Sequence, residues 1–318
     1  MGFDFTNGFH DAANAVAVSI TTRALRPLVA LAMAAGLNVV GALVSTKVAA
    51  TVGSGIIETP SGTHGLVVVF SALIGAILWN LFTWWLGLPS SSTHALIGGL
   101  VGAALAASVT VKWSGLIDKV VIPMAASPVI GLILGYLLMV LILWIFRRTR
   151  PSTVNSGFRR GQTVSTAAMS FSHGTQDAQK TMGVITLALV TTGHLTAFDV
   201  PLWVIVAAAG AMGLGTLAGG WRVIRTLGSR ITPLDSPRAF AAQTAASSVL
   251  LVSAYAYAMP VSSTHIMTSS IMGVGASRRL SAVRWSVAQR IAFAWVFTIP
   301  GAAASAWVAY LVAHAIVG

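Results

Sequence analysis

The stretch "FTNGFHDAANA", Phe5 to Ala15, returns in altered form as "FSHGTQDAQKT", Phe171 to Thr181. Gly8 then aligns with Gly174 and Asp11 with Asp177, a shift of 166 residues. A second pair follows each copy: "PSSSTHALIGGLVGA" from Pro89 and "PVSSTHIMTSSIMGV" from Pro260, a shift of 171. A weaker echo joins "VGSGI" (Val52–Ile56) to "LGSRI" (Leu227–Ile231). Two motifs recurring in one order at nearly one offset mark a duplicated chain.

The setting of these polar motifs is oily. Of 318 residues, 56% are hydrophobic and 8% are charged, and the mean hydropathy is +0.83. Soluble domains carry about 25% charged residues, so this chain has too few to clothe a water-facing surface. Pro27–Ala49, Leu66–Leu86, Val120–Phe146, Val200–Trp221 and Ile291–Val317 each reach the roughly 20 apolar residues of a spanning helix. In lipid each segment must satisfy its own backbone, which makes helix the default. The alternation of a membrane β-barrel is missing from these runs.

The formal net charge of +12 does not read as a nucleic-acid footprint. The arginines gather between apolar runs: Arg147, Arg148, Arg150, Arg159 and Arg160; Arg222, Arg225, Arg230 and Arg238; Arg278, Arg279, Arg284 and Arg290. Such clustering is the positive-inside pattern of membrane proteins. Placing these loops in the cytoplasm, with Arg23 and Arg26, accommodates about ten passes: 4–21, 27–49, 64–87, 89–107, 120–146, 163–193, 200–221, 240–258, 260–277 and 291–317. Lys47, Lys112 and Lys119 then fall near the outer side, against the rule. There is no cysteine, hence no disulfide framework or thiolate site. No basic region followed by an apolar run opens the chain, so no cleavable signal is expected.

The expected architecture is an all-α polytopic membrane protein with two inverted-topology repeats and broken or re-entrant helices. Residues 1–146 form the first repeat, 147–161 a basic cytoplasmic linker and 162–318 the second repeat. Five passes per repeat, an odd number, turn the second copy over. Inverted repeats with discontinuous helices and midplane sites are the architecture of many secondary transporters.

Of seven acids, Asp11 and Asp177 stand within passes, at equivalent positions, beside other polar groups. A carboxylate at the bilayer centre costs at least about 2.5–3.5 kcal/mol and is expected to face a cavity or partner. The plainer reading is a structural ion pair between repeats, which the symmetry of the pair disfavours. Asp4, Asp118, Asp199, Asp235 and Glu58 fall at pass ends or loops and are expected to be solvated. Gly8 and Gly174 are expected to break their helices and free backbone groups for an ion.

The second constellation is Ser91, Ser92, Thr93 and His94, mirrored by Ser262, Ser263, Thr264 and His265. Proline followed by hydroxyl residues suits a helix start. First-turn N–H groups lack helical partners and carry the positive dipole end, so they bind anions. Helix capping alone would explain one copy, but two copies at membrane depth point to a shared anion site. Gly98, Gly99, Gly102, Gly273 and Gly275 fit close helix packing. His94 and His265 either carry protons or orient the neighbouring hydroxyls. Trp84, Trp85, Trp113 and Trp221 read as interfacial anchors.

At these residues the chain resembles the inorganic phosphate transporter (PiT) family, in its low-affinity bacterial form. The resemblance rests on "NGFHDAANAVA", "FSHGTQDAQK", "PSSSTH", "PVSSTH" and "LGSRITPLDSPRAFAAQTAAS" (Leu227–Ser247), and it extends over essentially the whole chain. It implies phosphate uptake by an inverted-repeat carrier, often a homodimer, in the bacterial inner membrane, driven by protons or sodium. It also implies a joint site of Asp11, Asn14, Asp177, Ser91, Ser92, Thr93, Ser262, Ser263 and Thr264. The sodium-coupled branch shows Asn-Asp-x-x-Asn in both repeats. Here His10 and Gln176 precede the aspartates, and Lys180 stands where the first repeat has Asn14. Lys180, three residues after Asp177 on the same face, is expected to take the place of one alkali cation, which favours proton coupling. Cation coupling is thus assigned to Asp11, Asn14, Asp177, Lys180, His10, His94 and His265. Family members carry a leading segment ahead of the first motif, so residues upstream of Met1 are expected.

The partners expected are phosphate, a coupling cation (H⁺ or Na⁺) and the lipid bilayer, with no nucleic acid. No resident cofactor, metal site or catalytic residue is expected; a divalent metal carried with phosphate would be cargo. The competing readings are a carrier for sulfate or another oxyanion and an intramembrane metal-dependent hydrolase. No helical His-x-x-x-His or Glu-x-x-His pair supports the hydrolase.

Overall fold

The computed structural model describes residues 1–58 and 62–317, and nearly all of them are helical. In chain order the helices are α1 (Gly2–Thr21), α2 (Pro27–Val44), α3 (Lys47–Ser54), α4 (Gly62–Leu86), α5 (Ser92–Ala106), α6 (Trp113–Leu116) and α7 (Ile122–Ile145). Then come α8 (Pro151–Thr191), α9 (Leu202–Ala218), α10 (Trp221–Arg225), α11 (Ser236–Tyr255), α12 (Ser263–Ala276) and α13 (Trp285–Val317). π-Helical turns at Ile117–Val121 and Thr226–Arg230 extend α6 and α10.

Among the described residues four helical segments are long and apolar enough to cross a membrane: Pro27–Val44, Gly62–Leu86, Trp113–Ile145 and Trp285–Ile316. A fifth follows if Leu202–Ala218 and Trp221–Arg230, bent by 60°, form one span. These are the lipid-facing elements. Leu28, Phe70, Trp144, Leu202, Phe293 and Ile316 all lie exposed on them, as an outer surface bathed in hydrocarbon requires. The other long helices, α1, α8 and α11, are more polar because most of their residues are inside the protein.

The molecule is therefore apolar outside and partly polar inside. Asp4, Asn7, His10, Asp11, Asn14, His173, Asp177, Lys180, Gln243 and both Ser–Thr motifs are all buried. Lys180 is among the largest fully buried side chains. In water such an arrangement would be unstable; in lipid, hiding polar groups from the solvent is the stable choice.

The two halves exchange partners. Helix α1 packs on α9 and α8 packs on α2, so each half's first helix rests on the other half's second. Likewise α5 packs on α13 and α12 on α7. The short helices α5 and α12 are buried along nearly their whole length.

One expectation changes here. Gly8 and Gly174 do not break their helices, since α1 and α8 run through them without interruption. They instead mark the crossing points. A Cβ on Gly8 would strike the Met212 carbonyl of α9, and one on Gly174 the Asn38 backbone of α2. A glycine in an apolar helix signals either a break or a close crossing, and only the partner helix decides which. The basic segment 147–161, expected as a cytoplasmic linker, takes helical form over most of its length. From Pro151 it is the first part of α8, which continues unbroken into the second Asp motif.

Candidate functional site

Both Ser–Thr motifs sit where an extended segment turns into a helix. Ser91 and Ser262 are N-caps in extended conformation, and each side chain accepts from the backbone N–H three residues on, His94 at 3.2 Å and His265 at 3.1 Å. The capping reading thus holds for these two serines. Beyond the caps, Ser92, Ser263 and Thr264 turn toward the carboxylates.

Ser92 Oγ donates to Asp11 Oδ2 at 2.7 Å, and its counterpart Ser263 donates to Asp177 Oδ2 at 3.2 Å. Thr264 crosses between halves to donate to Asp11 Oδ1 at 3.3 Å. Thr93 also crosses, donating to the Val261 carbonyl at 3.4 Å. Asn14 Nδ2 reaches both hydroxyls of the other half, Thr264 Oγ1 at 2.9 Å and Ser263 Oγ at 3.3 Å. Lys180 Nζ lies 2.7 Å from Asp177 Oδ1 and 3.5 Å from Ser92 Oγ. One connected polar network therefore includes both aspartates, with members from α1, α5, α8 and α12.

The histidines divide into two groups. His10 Nδ1 lies 2.7 Å from Asp11 Oδ1, while its Nε2 faces Thr83 and Ser90 at 3.3 and 3.4 Å. This orients the Asp11 carboxylate from behind. His94 and His265 meet each other instead, with ring centroids 4.7 Å apart, and His265 stacks on Trp295 at 4.0 Å. Trp295 in turn donates to the Pro89 carbonyl at the head of the first Ser–Thr motif.

His173 was not anticipated. Its Nε2 lies 3.1 Å from Asp177 Oδ2, one helical turn away. The signal was available as His-x-x-x-Asp, a spacing that puts both side chains on one face. Donor atoms of Asp11, His173 and Asp177 all lie within 4.8 Å of one another, a set able to hold a metal ion. The expectation of no metal site rests on spacings within single helices, whereas this set joins α1 to α8. Asp4 is a second correction. It is wholly buried rather than solvated, with Thr181 donating to Oδ1 at 2.7 Å.

Residues 7–306 match the phosphate transporter family. The chain belongs to that family. It is 43% identical to a "Probable low-affinity inorganic phosphate transporter" of Bacillus subtilis (strain 168) over 319 residues, covering 99% of this chain and 95% of that protein. A protein of the same description from Rhizobium meliloti (strain 1021) is 46% identical over 315 residues, covering 98% and 93%. In solved structures the fold matches "The sodium-dependent phosphate transporter" with a TM-score of 0.91 over 99% of this chain and 98% of that one, at 24% identity. This is a multi-pass membrane transporter of the bacterial type, not an enzyme.

Proposed function

We propose that this transporter is a secondary carrier that imports inorganic phosphate with a cation, a proton in preference to sodium, by alternating access. About ten passes form two inverted repeats. Phosphate sits between the starts of α5 and α12, taking hydrogen bonds from Ser92, Thr93, Ser263, Thr264 and first-turn N–H groups. Ser91 and Ser262 hold those helix starts in shape.

The observation that carries this reading is the network joining Asp11 to Asp177 through hydroxyls of both halves. A phosphate that takes those hydroxyls withdraws donors from two buried carboxylates. It also adds negative charge to a core where Lys180 is the cation held against Asp177. Cation uptake offsets that repulsion, so neither anion nor cation is favourably bound alone. Lys180 supplies one positive charge from the protein itself, which leaves less for an alkali ion to do.

Purified carrier in proteoliposomes, given pH and sodium gradients separately, tests the assignment. Phosphate accumulation is expected on an inward proton gradient without sodium. Accumulation that needs sodium and ignores the pH gradient would sink the proton assignment. The donor set of Asp11, His173 and Asp177 supports a second reading, in which a divalent metal enters with phosphate as a neutral complex. The metal would then compete with Lys180 for Asp177. Phosphate uptake that persists in full with chelator present excludes it.

A further inference from the structure

Helix α1 carries a polar stripe that extends beyond the phosphate site. Asp4, Asn7, Asp11 and Asn14 follow at intervals of three and four, so they share one face, and all four are buried. Asp11 and Asn14 belong to the network described above. Asp4 and Asn7 lie up to two turns away, about 10 Å along the axis from Asp11, and the phosphate site leaves them without a task.

Their polar atoms are incompletely satisfied. Asp4 Oδ1 accepts from Thr181 at 2.7 Å, whereas Oδ2 has no hydrogen-bond partner among the described residues. Asn7 has none at either amide atom. Buried polar groups are otherwise almost always paired, and an orphan calls for a physical explanation. An ionised carboxylate held by one hydroxyl, away from water, is costly. A proton on Oδ2 removes the charge and turns the orphan acceptor into a donor.

We propose that Asp4, braced by Thr181 and followed by Asn7, is a second proton-binding site on the route to the phosphate site. This rests on the reading of the chain as a proton-coupled phosphate carrier. The surroundings fit the role. The charged groups of α8 that act on Asp4 are Lys180 and Asp177, joined by the amino terminus; His173, His10 and Asp11 lie further along, at the phosphate site. Helix α9 has no titratable residue, and α4 has only His64. Thr181 directly follows Lys180, so the protonation state of Asp4 is sensed beside the ammonium that holds Asp177. The loading step is a plain proton transfer: an O–H bond of hydronium breaks as one forms at Asp4 Oδ2, and that bond breaks in turn when the proton passes to water as the cargo is released. A proton fits this position better than an alkali ion, which would need several oxygens where two are free.

The test uses the full chain in proteoliposomes containing a pH-sensitive dye, loaded with labelled inorganic phosphate. Wild-type exchange of phosphate at equal pH on both sides checks the phosphate reading by itself; if exchange is absent, that reading fails first. With exchange present, Asp4→Asn is expected to reduce accumulation driven by a gradient of about one pH unit by about tenfold, the loss of one coupled proton. Proton entry per phosphate is expected to fall by about one. Asp4→Glu is expected to keep both within about twofold of wild type, because a carboxyl is retained. Proton entry per phosphate unchanged in Asp4→Asn overturns the proposal, as does restoration of its accumulation by a sodium gradient alone. If Asp4→Asn does not insert, Thr181→Val decides. Removing the donor to the ionised form should hold the proton to higher pH and shift the midpoint of exchange by about one unit in the alkaline direction. An unshifted midpoint overturns the proposal.

Discussion

Lys180 stands in the second half where Asn14 stands in the first, and each reaches the equivalent serine of the opposite half: Asn14 to Ser263 at 3.3 Å, Lys180 to Ser92 at 3.5 Å. Those serines donate in turn to Asp177 and Asp11. The connections are reciprocal, but the charges are not. One cross-brace is a neutral amide and the other an ammonium lying 2.7 Å from Asp177. A duplicated site has thus become electrically lopsided while keeping its paired geometry.

Lys180→Met removes the cation and leaves Asp177 buried beside His173. Breaking one side of a buried ion pair costs about 3–5 kcal/mol, so thermal unfolding of the purified variant is expected at clearly lower temperature. Lys180→Asn restores the first half's pattern in the second. Phosphate exchange by that variant is expected to become stimulated by sodium, measured as label exchange with sodium or choline as the salt. Exchange equal to wild type in choline would contradict the role given to Lys180.

Asp11→Asn and Asp177→Asn each keep size and hydrogen-bonding capacity but remove a titrating charge. Both are expected to reduce phosphate exchange by about 10- to 150-fold, since each carboxylate accepts from the serine of its own half's motif and a charged hydrogen bond contributes about 1.5–3 kcal/mol. Membrane insertion, checked by the yield of monodisperse protein, should persist. Full exchange in either variant removes that carboxylate from the coupling scheme.

The duplication, the helical class and the meeting of the two Ser–Thr motifs with Asp11 and Asp177 were legible because each is written twice. Repetition separates a site from a coincidence of polar residues. Asp4 was not legible: it lies three residues from Met1, and its burial comes from α8 through Thr181, a contact between residues 177 apart. His173 was within a quoted motif but lacks a histidine counterpart in the first half, where Asn7 stands. The glycines misled for a different reason. Chain-local reasoning sees a flexible residue, whereas the carbonyl that forbids a side chain belongs to another helix.

The crossings at the glycines give a stability prediction. Gly174→Val places branched carbon atoms against the Asn38 backbone, and overpacking of this kind costs about 1–3 kcal/mol or more. Asn38 also donates to Thr216 at 2.9 Å, so a shift of α2 disturbs α9 as well. Gly36→Ala is the matched comparison, as its Cβ would meet nothing within 4 Å. It should be neutral or stabilising by up to about 1 kcal/mol through helix propensity. Fluorescence-detected thermal unfolding should therefore place Gly174→Val below wild type and Gly36→Ala at or above it.

Selectivity among oxyanions follows from what the site offers. The hydroxyls of Ser92, Ser263 and Thr264 are already oriented as donors toward carboxylates. A bound anion thus meets acceptors, Asp11 and Asp177, as well as donors. Hydrogen phosphate retains a P–OH that can donate to a carboxylate oxygen; sulfate at neutral pH has none and would bring only lone pairs against those oxygens. A site built to accept from a ligand hydroxyl rejects an analogue lacking it by about 10⁴-fold or more. Arsenate has the same protonation pattern and a similar tetrahedral shape. Unlabelled arsenate is therefore expected to inhibit labelled phosphate exchange at concentrations near those of phosphate itself, while a large excess of sulfate leaves it intact. Inhibition by sulfate at comparable concentration would show that the carboxylates do not face the bound anion, and would favour a general oxyanion carrier.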